Sequence, residues 1–452
     1  MTALNITVVG TGYVGLVSGV CFASVGHNVT CVDNNSHKVQ ALRQGQIPIY
    51  EPGLEDLLQE NVTAGRLHFS DDLASCIEGR DAIFIAVGTP TAADGISADL
   101  SAVHAVARSL APHLKKHTVV VTKSTVPVTT NKQIEEIIFS INPNAQFDIC
   151  SNPEFLREGC AIADFMQPDR IVIGVRNPKA QAVMEKLYEP LTQNNAPLLV
   201  TTPESAELIK YASNAFLATK VAFINEVANL AEATNGNIDD IARGMGMDSR
   251  IGPKFLQAGP GYGGSCFPKD TRAFAKIAQD NNTPSHIVQA VIQSNANRKK
   301  QMAEKITLIL DNDVKGKKIA VLGVTFKAQT DDMRESVSLD IVPALLQAGA
   351  EIHAFDPAAS HHAYDALPQA VYWHKTAEAA LQNADALVLL TEWPEFKALT
   401  PAVIKQQMRQ KIIIDLRNFF DADALTAQGF AYHSIGRSAS EPVPSSQKLK
   451  AV

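Results

Sequence analysis

The stretch Ile6-Thr7-Val8-Val9-Gly10-Thr11-Gly12-Tyr13-Val14-Gly15 decides how the rest of the chain is read. A strand-forming apolar run enters three glycines at GxGxxG spacing, and a helical stretch follows. Gly10 permits the tight turn, Gly12 lets a pyrophosphate approach the backbone, and Gly15 allows close packing of helix on strand. The helix start then offers unpaired N–H groups and a positive dipole end to phosphate. The next strand closes on Asp33, 18 residues beyond Gly15. A carboxylate there accepts from both ribose hydroxyls and repels a 2′-phosphate, which favours NAD over NADP. Lys38 is the nearby cation that would soften this discrimination.

Outward from this turn, short Val- and Ile-rich runs alternate with helical segments. Asn5–Val9, Asn28–Asp33, Asp81–Val87, Thr118–Lys123 and Phe147–Ser151 read as strands bounded by Gly, Pro, Asn or Asp. Glu204–Asn235 holds no Gly and no Pro, and its apolar residues recur at helical spacing, so it reads as one long, largely buried helix. A second strand–turn–helix pattern starts at Lys317-Lys318-Ile319-Ala320-Val321-Leu322-Gly323 and continues near Glu351–Phe355, Ala386–Leu390 and Lys411–Asp415. The fold class is α/β: two Rossmann-like doubly wound domains joined by a long central helix. The expected division is 1–200, 201–310, 311–437 and a disordered tail over 438–452, whose Ser, Pro, Lys and Gln suit an unfolded end.

Composition excludes several classes. With 40 Lys plus Arg against 47 Asp plus Glu, the net charge of −7 argues against nucleic acid as partner. Hydrophobic residues at 46% exclude disorder for most of the chain, while no apolar run approaches the roughly 18 residues of a membrane span. The start, Met1-Thr2-Ala3-Leu4-Asn5, leads straight into a strand and reads as cytoplasmic. Six cysteines without CxxC spacing favour neither a disulfide framework nor zinc. No metal is expected, since His361-His362 lacks a third ligand and reads as a solvated pair.

Chemistry concentrates in three places. Pro260-Gly261-Tyr262-Gly263-Gly264-Ser265-Cys266-Phe267-Pro268-Lys269-Asp270 gives a backbone able to wrap a ligand, with Cys266 just before a helix start at Pro268. That position, close to Lys269, predicts a thiol with depressed pKa; Asp270 follows at one-face spacing. The other five cysteines read as packing. Ser151-Asn152-Pro153-Glu154-Phe155-Leu156-Arg157-Glu158-Gly159 follows a strand end, with Glu154 and Glu158 at helical i, i+4 spacing. They read either as an acid/base pair or, more commonly, as a solvated helix start. Lys210 and Asn214 share a face of the long helix, where Lys210 either snorkels to water or is a buried functional cation.

Together with Lys123-Ser124-Thr125-Val126-Pro127 and Glu207–Asn214, these motifs resemble the nucleotide-sugar 6-dehydrogenases over nearly the whole chain. The resemblance implies oxidation of a sugar C6 alcohol to a carboxylate, UDP-glucose to UDP-glucuronate for the best match, consuming two NAD. It implies that Cys266 forms a thiohemiacetal and then a thioester, with Lys210 and Asn214 at the developing oxyanion. Asp270 and Thr125 would position water or relay a proton, and Glu158 with Glu154 would serve hydrolysis. By the same resemblance, NAD contacts are Tyr13, Val14, Asp33, Lys38, Thr89, Thr125, Glu158, Lys269 and Arg334, beside Gly10, Gly12 and Gly15. Substrate contacts are Glu154, Phe155, Leu156, Arg157, Glu158, Lys210, Asn214, Phe255, Leu256, Gln257, Ala258, Gly259, Gly263 and Lys327. Arg250 would reach the sugar of a neighbouring subunit, and the C-terminal half would bind UDP. Gln257 departs from relatives that carry lysine there. A homodimer through the middle helices is expected.

Rival readings are the same chemistry on GDP-mannose or an N-acetylated UDP-sugar, a single-step hydroxyacid dehydrogenase, and a non-catalytic nucleotide-sugar sensor. NADH yield per substrate separates the last two from the first.

Overall fold

The computed structural model describes residues 2–359 and 361–438, so all but the first residue of the proposed tail lies outside the described residues. Fourteen strands are present among them: β1 (Asn5–Val9), β2 (Asn28–Val32), β3 (Leu67–Ser70), β4 (Ala82–Ile85), β5 (Thr118–Thr122), β6 (Phe147–Ser151), β7 (Ile171–Val175), β8 (Leu198–Thr201), β9 (Lys318–Leu322), β10 (Glu351–Phe355), β11 (Tyr372–Trp373), β12 (Ala386–Leu389), β13 (Ile412–Asp415) and β14 (Ala431–His433). They form an eight-stranded sheet ordered β3-β2-β1-β4-β5-β6-β7-β8 and a six-stranded sheet ordered β11-β10-β9-β12-β13-β14. Every pairing is parallel except β6 with β7.

Numbered within itself, each sheet carries the order 3-2-1-4-5-6. The chain leaves its first strand outward and returns to the other side of it, so a crevice opens at the carboxyl ends of β1 and β4, and again of β9 and β12. Apolar side chains alternate between the faces. Ile6, Val8 and Phe84 enter one core, while Val9, Ile83 and Ile85 enter the opposite one. In the second sheet Ile319 and Val321 face one core, Ala320 and Leu322 the other. Burial on both faces is why these strands read as continuous apolar runs.

The chain divides into two compact units, one of residues 1–213 and 272–284, the other of 214–271 and 285–438 within the described part. Two of the three cuts fall inside the helices Pro203–Ala233 and Phe267–Asp280, and the third, after Pro284, falls between helices. The long helix therefore starts one residue before its expected Glu204 and ends two before Asn235, 31 residues in all. Helices Ile238–Gly246 and His286–Ile309 supply the further helical material before β9.

Two expectations fail here. Asn152–Glu158 forms no helix, so the i, i+4 spacing of Glu154 and Glu158 has no helical meaning. Pro153 withholds a backbone donor at the point where β6 ends. Cys160 is exposed at the start of the helix Ala161–Met166, whereas Cys21, Cys31, Cys76 and Cys150 are buried packing as expected. His361 and His362 lie exposed.

Candidate active site

In the first unit the glycine turn sits between β1 and the helix Tyr13–Ser24. Gly10 has φ +100°, donates its N–H to the Val32 carbonyl at 2.7 Å, and would drive a Cβ to 2.7 Å from the Ala86 carbonyl oxygen. A Cβ on Gly15 would meet the Gly10 carbonyl at 2.0 Å, so its closest neighbour is the turn itself. It would also stand 3.1 Å from the Ala86 side chain just after β4, and a Cβ on Gly19 would meet Cys31 Sγ at 2.3 Å, so both glycines keep the helix close to the sheet. Gly12 meets nothing within 4 Å, and the helix start has no side-chain cap and no acid in its first turn. An uncapped helix start beside open space fits a pyrophosphate.

Asp33 stands just beyond β2. Its Oδ2 accepts from the Thr11 N–H at 2.9 Å, the Thr11 hydroxyl at 2.6 Å and Lys38 Nζ at 3.3 Å; Oδ1 accepts from the Asn35 N–H at 3.1 Å. Burial opposes its charge, but these hydrogen bonds and Lys38 outweigh burial and hold the carboxyl below its ordinary range. Lys38 is thereby spent on Asp33, which weakens it as a phosphate acceptor. Thr89, after β4, donates its hydroxyl to the Thr125 carbonyl at 2.9 Å, joining two strand-end loops at the crevice.

Glu154 is buried, ruling out the solvated helix start. Its Oε1 accepts from Lys210 Nζ at 2.9 Å and its Oε2 from the Leu156 N–H at 2.6 Å. Lys210, 3% exposed, is thus a buried cation rather than a snorkelling one. Burial works against the Glu154 charge, yet Lys210, the Leu156 N–H and Lys123 together keep its carboxyl below the ordinary value. Phe155 lies under the Arg170 guanidinium, 3.7 Å from ring centre to Cζ. Arg157 is exposed and pairs with Asp164 at 2.6 Å, while Glu158 is half-buried.

Three participants escaped the sequence reading. Lys123 is buried with its Nζ 3.1 Å from Asn152 Oδ1 and 3.3 Å from the Tyr188 hydroxyl; burial pushes it down to about 8. Glu207, on the long helix, accepts from the backbone N–H groups of Thr129 and Asn131 at 2.8 and 2.9 Å. Glu51 is buried against the Glu158-Gly159 turn and is taken up below. Lys123 and Glu207 open two of the motifs that carry the resemblance but were given no role there, and Glu51 lies in none of them.

In the second unit Cys266 is a half-buried thiol outside any disulfide, immediately before the helix Phe267–Asp280, which starts one residue earlier than expected. Asp270 is 1% exposed and accepts from Asn214 Nδ2 and Lys269 Nζ, both at 2.6 Å. The glycines before the thiol have a packing role as well. A Cβ on Gly263 would strike the Glu335 carbonyl at 2.2 Å, and one on Gly264 the Phe326 ring at 2.6 Å. They let this loop press against its own chain, with the Gly264 N–H on the Arg334 carbonyl at 2.8 Å.

Residues 255–259 form a loop pinned at its end: the Gly259 N–H donates to Asn225 Oδ1 at 2.8 Å, and its carbonyl accepts from Arg298 Nε at 3.0 Å. Leu256 is buried, Phe255 and Ala258 half-buried, and Gln257 exposed. Phe255 holds φ +65°, a conformation that costs energy for a side chain of this size. Arg250 is exposed and forked onto Asp248, with Nη2 at 2.6 Å. Arg334 pairs with Asp332 at 2.8 Å, and Lys327 is half-buried near the Phe326 ring. At the second switch point Gly323 repeats the Gly10 geometry, its N–H on the Phe355 carbonyl at 2.9 Å. There Asp356 is filled by its own chain, accepting from the Val324 and Thr325 N–H groups at 2.7 and 3.0 Å and from Trp393 Nε1 at 3.1 Å.

Open sheets of this order bind nucleotides at the switch point. An uncapped glycine turn with a hydrogen-bonded acid beside it places the chain among the dinucleotide-linked dehydrogenases. It belongs to the UDP-glucose/GDP-mannose dehydrogenase family: that family's NAD binding domain matches residues 4–192, its central domain 204–297 and its UDP binding domain 320–422. Over 436 residues the chain is 52% identical to a UDP-glucose 6-dehydrogenase of Rhizobium meliloti (strain 1021), covering 96% of this chain and 100% of that one. It is 47% identical to the UDP-glucose 6-dehydrogenase TuaD of Bacillus subtilis (strain 168), covering 96% and 94%. A solved UDP-glucose dehydrogenase from Pyrobaculum islandicum superposes with TM-score 0.89 at 36% identity, covering 97% of this chain and 98% of that one.

Proposed function

We propose that the protein oxidises UDP-glucose twice at C6, to UDP-glucuronate, through covalent adducts on Cys266. The observation that carries this reading is a half-buried thiol, in no disulfide, at a helix start, in a chain 52% identical to a UDP-glucose 6-dehydrogenase. NAD, when bound, accepts the hydride removed in each oxidation. Gly10, Gly12, Tyr13, Val14, Gly15 and Asp33 would hold it, with Lys38, Thr89, Thr125, Glu158, Lys269 and Arg334 completing its contacts.

In this reading the Cys266 sulfur adds to the C6 aldehyde, its proton leaving to solvent, and the adduct carries the hydrogen that a bare aldehyde holds poorly for oxidation. Water then cleaves the resulting thioester, freeing the acid and restoring the thiol. Lys210 and Asn214 meet the negative charge that develops on the C6 oxygen. Asp270 and Thr125 position the water or relay its proton, and Glu158 with Glu154 assists hydrolysis. The hydrogen bond between Asn214 and Asp270 supports their action as a unit. Phe155, Leu156, Arg157, Phe255, Leu256, Gln257, Ala258, Gly259, Gly263 and Lys327 bind substrate.

The functional division follows 1–200 for NAD, 201–310 for the helical middle and 311–437 for UDP. The chain works in the cytoplasm as a homodimer. Phe216, Phe223 and Leu230, 66%, 52% and 63% exposed, recur every seventh residue on the long helix, a stripe suited to a second copy. Arg250, exposed, would then reach the neighbour's sugar. Among the described residues no helix is long and apolar enough to cross a membrane. The test is a spectrophotometric screen of UDP-glucose, GDP-mannose and N-acetylated UDP-sugars with NAD and with NADP. Fastest NADH formation from UDP-glucose supports the reading; preference for another sugar overturns its substrate.

A further inference from the structure

We propose that Glu51 is a positioning residue that couples the dinucleotide turn to the Glu154–Gly159 loop, so that filling either ligand site favours filling the other. The proposal rests on the substrate reading above. Glu51 lies between the helices Ser36–Arg43 and Leu54–Thr63 and is 5% exposed. Its two carboxylate oxygens serve two different segments. Oε2 accepts from the Tyr13 hydroxyl, in the glycine turn, and from the Gly159 N–H at 2.7 Å, directly after Glu158. Oε1 accepts from the Ala161 N–H at 2.7 Å, at the start of the next helix. The Gly159 N–H also reaches the Tyr13 oxygen at 3.0 Å, so turn, carboxylate and loop close into one triangle.

The physical consequence follows from burial. A buried carboxylate is tolerable only while its lone pairs are filled, and each donor lost leaves it under-solvated. Tyr13 remains the proton donor, because burial first and Glu51 second raise its phenol well above the ordinary tyrosine range. Tyr13 cannot move without unfilling Oε2, and that same oxygen anchors Gly159. A dinucleotide that fixes the glycine turn therefore fixes the loop end, and a substrate that orders the loop steadies Tyr13. Whichever ligand binds first meets the ordering cost that the second is spared. Neither contact is visible along the chain, since Glu51 stands 108 residues from Gly159.

The experiment titrates NADH by fluorescence into the full chain, with and without saturating UDP-glucose, a pair that cannot react forward. Wild type should bind NADH at least about fivefold more tightly when UDP-glucose is present, the low end of ordinary coupling between sites. Titrating UDP-glucose with and without NADH must return the same factor. Glu51→Gln, and separately Tyr13→Phe, which deletes a single oxygen, should bring the factor below about twofold. The factor is a ratio within each variant, so a change in either ligand's own affinity does not move it, and a merely structural role would leave it intact. Both variants retaining the wild-type factor would overturn the proposal, and Tyr13→Phe decides it if Glu51→Gln fails to fold. A wild type that forms NADH from UDP-glucose and NAD yet shows a factor of one overturns the coupling alone. A wild type that forms none overturns the substrate reading along with it.

Discussion

Glu154→Gln tests the buried charge cluster most severely. The substitution preserves shape and removes the carboxylate that pairs with Lys210 at 2.9 Å and is also felt by Lys123. Lys210 is 3% and Lys123 5% exposed, so neither can regain water without opening the core. Breaking a buried pair from one side costs roughly 3–5 kcal/mol, because a buried charge loses its compensation. A unit of this size shifts about 2–4 °C per kcal/mol, so its melting transition should fall by roughly 6–20 °C at pH 7. Differential scanning calorimetry of wild type, Glu154→Gln, Lys210→Met and the double variant reads this directly. The double variant should melt above Glu154→Gln, since it removes the cation left behind. The sign with pH is also set. A carboxyl held below its ordinary value contributes stability above its unfolded pKa, about 4.3, and loses it as pH falls through the folded value. The gap between wild type and Glu154→Gln should therefore close as the solution is acidified below about pH 4. A drop smaller than about 3 °C at pH 7, or a double variant no better than the single, would refute the reasoning.

Cys266→Ser should lower UDP-glucuronate release by several orders of magnitude, since a hydroxyl ionises far less readily than a thiol; intact-mass analysis during turnover would catch a trapped ester. Near wild-type release would rule out the covalent route. Asp33→Ala should weaken NAD and relax the exclusion of NADP, measured as the ratio of kcat/KM for the two; an unchanged ratio would place the discrimination elsewhere. Lys123→Met should stabilise the fold at pH 7 by removing the cost of holding charged a lysine pushed down to about 8, offset in part by its lost hydrogen bonds to Asn152 and Tyr188. Between about pH 8 and 10.5 the folded protein sheds this proton while the unfolded chain keeps it, so wild type gains stability and the advantage of the variant disappears. Denaturant melts across that range would show a gain independent of pH if the account were wrong.

Where local chemistry dictates conformation, the sequence was legible. The glycine turn and its acid depend on φ, on the absence of Cβ and on one strand end, all of which lie in adjacent residues. Both-faces burial made β1, β2, β4, β5, β9, β12 and β13 readable as apolar runs, while β6 and β10 were readable from their Ile and Phe between turn residues. β8 was hidden because Leu199 and Val200 lie exposed, and β3 because its in-and-out alternation spans only four residues. β7, fully buried, was readable by composition but was passed over; it is the strand that reverses direction. The loop after β6 misled because helical spacing says nothing once the backbone leaves the helix. The partnerships of Glu51 and Lys123 were invisible for another reason: Gly159 and Tyr188 lie 108 and 65 residues away.

Counting NADH against UDP-glucose consumed, at limiting sugar and excess NAD with product identified by mass, tests the central claim most directly. Two oxidations at one carbon require two NADH for each UDP-glucuronate released. A yield of two, lost in Cys266→Ser, is the predicted result. One NADH with an aldehyde or ketone product, or binding without any NADH, would contradict it.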